Sequence, residues 1–309
     1  MSGTRLVGAL EIGGSHAAAA LVDPTRRRLA STIERALLDP QASRADLLEA
    51  ILGVAAALNE RQRPVERWGV AVPGPFDYRR GISLITGVAK LEALYRLDLR
   101  AELAVALSAD AQRFTFLNDA DAFLLGEWWA GAAAGAARAL GVTLGTGLGS
   151  AFLADGALTE HGPGVPAEGR LDRVPFEGAP VEDQLSARGL RRAYAEATAV
   201  RPGEAGVEED DAPPPVNVAE IAARARSGDV PARAVMERFG GSLGRFLAPW
   251  LAGFAPDCLV LGGSIARAWD LFGPALLPVP GVIADGRRIT VAQQLDAGPL
   301  LGAAYHAAG

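Results

Sequence analysis

Two short stretches carry residues able to do chemistry. The first is Asn118-Asp119, at the end of the apolar run 114–117. The second is Leu144-Gly145-Thr146-Gly147-Leu148-Gly149-Ser150, between two β-prone runs. A carboxylate on a strand end can take a proton from a hydroxyl. A turn of small residues lets backbone N–H groups approach an anion. Together they point to phosphoryl transfer to an alcohol. Taken alone, Asp119 reads at least as well as a helix N-cap, so the rest of the chain must decide.

The elements that would position these residues follow from pattern. Run 114–117 is expected to be a strand, and 120–131 the helix beyond it. Residues 5–11 and 17–23 read as strands around Gly13-Gly14-Ser15, a hairpin. The same layout recurs at 142–155, around Gly145-Thr146-Gly147. This weak repeat points to a fold duplicated in two halves, although Gly-Gly turns are also common hairpin tips. Run 68–72 reads as a buried strand ending in the rigid loop Pro73-Gly74-Pro75-Phe76-Asp77. Helices are expected over 43–59, 98–107, 186–197, 218–226, 231–253 and 300–308. Run 258–261 reads as a buried strand entering Gly262-Gly263-Ser264. Residues 157–182 are rich in glycine and proline loops. Residues 201–216 are acidic and proline-rich, which reads as a solvated insertion and not a site.

Composition narrows the class. The chain has 309 residues, half of them hydrophobic, enough for two domains with sizeable cores. A net charge of -6 argues against a general nucleic-acid or membrane-surface binder. One cysteine, Cys258, excludes an intramolecular disulfide and a cysteine-rich zinc cluster. No charged flank precedes a long apolar region in residues 1–10, and no apolar run is long enough to span a bilayer. A cytoplasmic protein is the expectation.

In combination these pieces resemble the ROK family of repressors, open reading frames and sugar kinases. Glu11-Ile12-Gly13-Gly14-Ser15 is similar to its first phosphate loop. Gly69-Val70-Ala71-Val72-Pro73-Gly74-Pro75 is similar to its sugar-side loop. Asn118-Asp119-Ala120-Asp121-Ala122 resembles the catalytic motif. Leu144-Gly145-Thr146-Gly147-Leu148-Gly149 resembles the second phosphate loop, Leu261-Gly262-Gly263-Ser264 the adenosine-side turn, and Leu301-Gly302-Ala303-Ala304 the C-terminal helix. Each is weak alone, but six in family order over the chain are specific. The family's repressors carry a helix-turn-helix domain before the first loop. Here that loop begins at Glu11, so the kinase branch is the expectation.

The resemblance implies an α/β fold of the two-domain actin-like, hexokinase-like ATPase kind (ribonuclease H-like), with an interdomain cleft. The small domain would cover 1–118, completed by a terminal helix at 299–309, and the large domain 119–298. It implies Asp119 as general base. Pro73, Gly74, Asn118, Glu168 and Glu182 would contact the sugar. Gly13, Gly14, Ser15, Gly145, Thr146 and Gly147 would hold phosphates, and Gly262 and Gly263 would leave room for the nucleoside. Glu11 would sit near Mg²⁺ through water, with ATP as donor. A homodimer is implied, with sugar and nucleotide as small-molecule partners, no nucleic acid and no membrane.

Two departures matter. Glu11 stands where aspartate is common, one methylene longer. More importantly, many members have Gly-Glu-x-Gly-His followed by a cysteine-rich zinc loop. Here Ala167-Glu168-Gly169-Arg170-Leu171-Asp172 puts Leu171 in the histidine's place, and the zinc cysteines are missing. No zinc is therefore expected. Glu168 and Glu182 remain as hydroxyl acceptors, and His161 is a weak candidate to replace the lost histidine. The expected reaction is phosphorylation of a hexose, glucose first. Polyphosphate as donor, and fructose, mannose or an amino sugar as acceptor, stay open. So does a non-catalytic sugar-sensing protein, which the loss at Leu171 favours and the retained Asp119 and phosphate hairpins oppose.

Overall fold

The computed structural model describes residues 5–61, 65–86, 91–198 and 216–309. Most of the acidic, proline-rich run, 201–215, lies outside the described residues. The chain opens with strands β1 (Val7–Ile12), β2 (His16–Asp23), β3 (Arg28–Leu29) and β4 (Glu34–Leu37), then helix α1 (Arg44–Arg61). Next come β5 (Trp68–Val72), β6 (Phe76–Asp77), β7 (Ile82–Ser83), α2 (Leu99–Ala106), β8 (Phe114–Asn118) and α3 (Asp119–Ala130). Strands β9 (Arg138–Leu144), β10 (Leu148–Ala154), β11 (Ala157–Leu158), β12 (Pro175–Phe176) and β13 (Ala179–Pro180) follow. The chain ends with α4 (Ala187–Thr198), α5 (Val218–Arg226), α6 (Val230–Phe254), β14 (Cys258–Gly262), α7 (Trp269–Leu276), β15 (Arg288–Val291) and α8 (Gly298–Ala308).

These elements form two compact units. One runs through Ala136 and takes in Ala292–Gly309; the other is Ala137–Val291. Each has its own sheet, and the two sheets share one topology. The first is ordered β3-β2-β1-β5-β8, with β4 also on β2; the second is β11-β10-β9-β14-β15. In both, an antiparallel hairpin (β1/β2, β9/β10) is followed by strands added parallel to its first strand. The repeat read from the glycine turns is thus a repeat of topology. Strands β1, β5 and β14 are nearly all apolar because both faces of a parallel segment are covered. Each unit closes a separate core. Leu10, Ile51, Trp68 and Leu103 lie in the first, and Phe152, Leu171, Leu243 and Phe272 in the second.

The units divide at points different from those expected at 118 and 298. Helix α3 belongs with the first sheet because it packs on α8. The approach is backbone to backbone: a Cβ on Gly302 would lie 1.8 Å from the Ala122 carbonyl oxygen, and one on Gly126 2.0 Å from that of Gly298. The aromatic rings of Trp128 and Trp129 both pack on Tyr305 of α8. Beside them Glu127 is fully buried. Its carboxylate accepts the N–H groups of Ala132, Gln293 and Gln294 at 2.7, 3.1 and 2.7 Å. This ties the end of α3 to the segment leading into α8. Replacing Glu127 with alanine would leave three backbone donors without their acceptor. The expected loss is about 3–5 kcal/mol of stability, read from urea unfolding.

Candidate active site

Strand β8 stops where an amide can end it. Asn118 has extended backbone angles, and its Oδ1 accepts the Ala120 N–H at 3.0 Å, capping α3. The cap is therefore Asn118, and Asp119 occupies the first helical position, its Oδ1 sharing the same N–H at 3.0 Å. The amide Nδ2 of Asn118 donates to the Tyr78 hydroxyl at 3.1 Å. That hydroxyl donates to the Val72 carbonyl at 3.3 Å, at the mouth of the Pro73-Gly74 loop. Pro73 is buried and Gly74 half-buried. Tyr78 thus links the loop after β5 to the Asn118-Asp119 motif that ends β8. Sequence reasoning missed it; its signal was a hydroxyl-bearing aromatic just past a proline-glycine turn.

Glu11, near the end of β1, pairs with Ala18 on one side and Ala71 on the other. Its carboxyl is pushed up to about 7 from an ordinary 4.5, first by burial, then by the charge of Asp119 and, more weakly, Asp296; Arg35 opposes the shift. Asp296, in the turn before α8, is a second residue that pattern alone did not single out. His16 Nε2 lies 3.8 Å from Glu11 Oε1, and burial together with Arg35 lowers its pKa, which favours the neutral imidazole. The turn Gly13-Gly14-Ser15 between β1 and β2 is closed by the Gly13 N–H on the His16 carbonyl, and Ser15 is exposed. Glu11, Asp119 and the first glycine tip therefore belong to one unit and share one electrostatic neighbourhood.

In the other unit, the β9–β10 tip is closed by the Gly145 N–H on the Gly147 carbonyl at 3.0 Å. The Gly145 carbonyl accepts the Ala187 N–H at 2.8 Å, so α4 starts against the tip. Thr146 is exposed and borders a cavity of about 500 Å³ that Arg188, Arg191, Arg226, Ser264 and Arg267 also line. Arg226 forks onto Asp270 at 2.9 and 2.7 Å, and Arg188 pairs with Asp183 at 2.8 Å. Gly262 ends β14 against Thr143. Gly263 has φ +81°, and a Cβ there would lie 2.3 Å from the Leu144 carbonyl oxygen. That turn needs glycine to pass the end of β9; the cavity's lining begins one residue later, at Ser264.

The loop after the hairpin separates the two remaining glutamates. Glu168 has φ +57°, its side chain is 61% exposed, and it pairs with Arg173 at 2.6 Å. Glu182 is turned inward: its Oε1 accepts the Leu148 N–H at 3.0 Å. Leu171, in the place where a histidine was looked for, is fully buried in the core of this unit. Its N–H donates to Ser150 Oγ at 2.9 Å, and the Ser150 hydroxyl donates to the Gly169 carbonyl at 2.6 Å. His161 is exposed. No helix among the described residues is long and apolar enough to cross a membrane.

The sequence model of the ROK family matches residues 7–309. A glucokinase of Thermotoga maritima is 30% identical over 217 residues, 67% of this chain and 66% of that protein. An N-acetyl-D-glucosamine kinase of Salmonella heidelberg is 26% identical over 323 aligned residues, covering 96% of this chain and 97% of that one. Among solved structures, a ROK family glucokinase from Streptomyces griseus, in complex with glucose and AMPPNP, superposes with a TM-score of 0.77 at 23% identity, covering 97% of this chain and 98% of that one. The duplicated mixed sheets and the glycine tips accord with that fold, and with a family match over nearly its whole length the chain belongs to the ROK family.

Proposed function

We propose that this protein is an ATP-dependent hexose kinase, with glucose as the first substrate to test. The observation that carries the reading is Asp119 on the first turn of α3, held by the Asn118 cap and sharing a field with Glu11. The sugar hydroxyl oxygen would attack the γ-phosphorus, the bond to the β-phosphate oxygen would break, and Asp119 would accept the hydroxyl proton. A loose transition state asks for positioning and charge compensation more than for a strong base. Asn118, Pro73 and Gly74 would orient the sugar from the same unit. Gly13, Gly14 and Ser15 on one tip, and Gly145, Thr146 and Gly147 on the other, would hold the donor's phosphates. The Thr146 cavity would take its nucleoside, with Gly262 and Gly263 shaping the turn beside it.

Mg²⁺ suits the donor set of the first unit. Glu11, Asp119 and Asp296 are oxygen ligands whose mutual repulsion a hard cation relieves. The described residues form no cluster of three or more such ligands in metal-holding geometry. That accords with an ion carried mainly by the donor's phosphates, where it would supply charge neutralisation, with Glu11 contacting it through water. A second donor reading rests on charge: four arginines around one cavity also suit inorganic polyphosphate. Fructose, mannose and an amino sugar are the alternative acceptors.

A coupled assay over a hexose panel, with ATP and polyphosphate compared, tests the reading. Sugar-dependent thermal stabilisation without turnover on any donor would instead identify a sugar sensor. Asp119→Asn is expected to lower kcat by about 10²–10⁴-fold while sugar affinity holds within a few-fold; undiminished turnover would remove Asp119 as the base. Glu11 carries a pH signature. The folded protein keeps a proton that the unfolded chain releases between about pH 4.5 and 7, so stability falls as pH rises through that window, by about 3 kcal/mol. Urea unfolding near pH 5 and pH 8 should show this fall in the native protein and most of it gone in Glu11→Gln.

A further inference from the structure

We infer that Tyr78 is a positioning residue for the sugar, acting by fixing the side-chain amide of Asn118. The functional meaning rests on the kinase reading, which sets Asn118 against the acceptor; the contact itself rests on geometry. The Tyr78 hydroxyl accepts from Asn118 Nδ2 at 3.1 Å and donates to the Val72 carbonyl at 3.3 Å. At the other end, Asn118 Oδ1 accepts the Ala120 N–H at 3.0 Å. The two ends fix the polarity of this chain of bonds. A backbone N–H can only donate, so Oδ1 faces Ala120 and Nδ2 faces Tyr78. A carbonyl can only accept, so the single phenolic proton goes to Val72 and an oxygen lone pair meets the amide. A flipped amide would forfeit the cap and set its oxygen against a hydroxyl whose proton is already committed.

The phenol is itself held. Tyr78 follows β6, and its ring centroid lies 5.3 Å from that of Phe76, which stacks on Phe116 of β8 at 5.4 Å. A tight turn comes next: the Asp77 carbonyl accepts the Gly81 N–H at 2.7 Å, and Asp77 Oδ1 the Arg80 N–H at 2.9 Å. Arg100 of α2 donates to the carbonyls of Arg79 and Arg80 at 3.0 and 3.1 Å, and also to those of Ala111 and Phe114. The loop that carries Tyr78 is therefore fastened to both ends of β8, by Arg100 at its start and by the phenol at its finish. An amide nitrogen carries two hydrogens, and Tyr78 takes one. That leaves the second, in the same plane, for a sugar hydroxyl oxygen. A donor already held in place loses little further freedom when substrate binds.

Tyr78→Phe removes the hydroxyl and keeps the ring on Phe76. The chain has three asparagines, Asn59, Asn118 and Asn217. Selective isotope labelling of asparagine therefore resolves the Asn118 amide by NMR, assigned by its loss in Asn118→Ser. In Tyr78→Phe the Asn118 amide resonances are expected to move, and glucose affinity without nucleotide to fall about tenfold. AMP-PNP affinity without sugar should stay within about twofold, because the donor does not meet this contact. Asn118→Ser keeps a capping hydroxyl but has no second arm for Tyr78. In that background Tyr78→Phe should weaken glucose binding by less than about twofold, since the group it acts through is gone. Unmoved Asn118 resonances, unchanged glucose affinity, or penalties that multiply across the two variants would overturn the inference. An equal fall in AMP-PNP affinity would overturn it too, because a general loosening of the unit would then suffice. If the native protein binds and phosphorylates no hexose, the kinase reading fails and takes the sugar role with it, whereas the amide resonances still decide whether Tyr78 fixes Asn118.

Discussion

The side-chain amide of Asn118 is the contact on which the placement of Asp119 depends. Its oxygen takes the Ala120 N–H, and that single bond both ends β8 and starts α3. Had the strand run on, period-two geometry would have turned Asp119 onto a face of the sheet. With the cap in place, Asp119 opens a helix instead. The other end of the amide donates to Tyr78, so the cap is oriented by the loop that follows β5. The loop after β5 and the start of α3 are in this way one hydrogen-bonded object.

That arrangement runs against stability in one respect. Burial first, and then the charges of Asp119 and Asp296, push the Glu11 carboxyl up to about 7. Nothing in the packing of β1 requires a carboxylate there, since its neighbours Leu10 and Ile12 are fully buried and apolar. The compensation lies elsewhere in the unit. Glu127 shares the same helix as Asp119, but its charge is met by three N–H groups and it fastens α3 beside α8. Two carboxylates on one helix thus have opposite energetic roles.

The second unit repeats the sheet and changes the use made of it. Both tips close on themselves, by Gly13–His16 and Gly145–Gly147 bonds; from outside, the first accepts the Leu38 N–H at the Ser15 carbonyl, and the second is bonded by segment 181–187. The loop between carries the chain's largest departure from its family. Leu171 has joined the core, and Glu168 has turned out to Arg173. With Leu171 fully buried, this part of the loop is built around apolar packing.

Much of this was legible in the residues. Glycine turns between apolar runs specify hairpins, and alternation and period specify the main elements, because each depends on neighbours within a few positions; the cap of α3 was read one residue late, at Asp119 instead of Asn118. Asp119 and the two glycine tips could be named for the same reason, and Glu11 through the family resemblance. Partners distant in sequence could not. Glu127 looks like a solvated charge on a helix until the backbone of 293–294 arrives over it. Glu182 could be chosen as a functional carboxylate, but not assigned to Leu148, 34 positions away. Gly263 reads as space for a ligand, and only the fold reveals that the space is filled by Leu144. The sequence by itself determined the main strands and helices, the repeated hairpin and the chemical types at the site. Tertiary structure alone decided the shared sheet topology, and which carboxylate is buried beside others, which is satisfied and which accepts a distant N–H, because burial and hydrogen-bond partners are set by segments that meet only once the chain has folded.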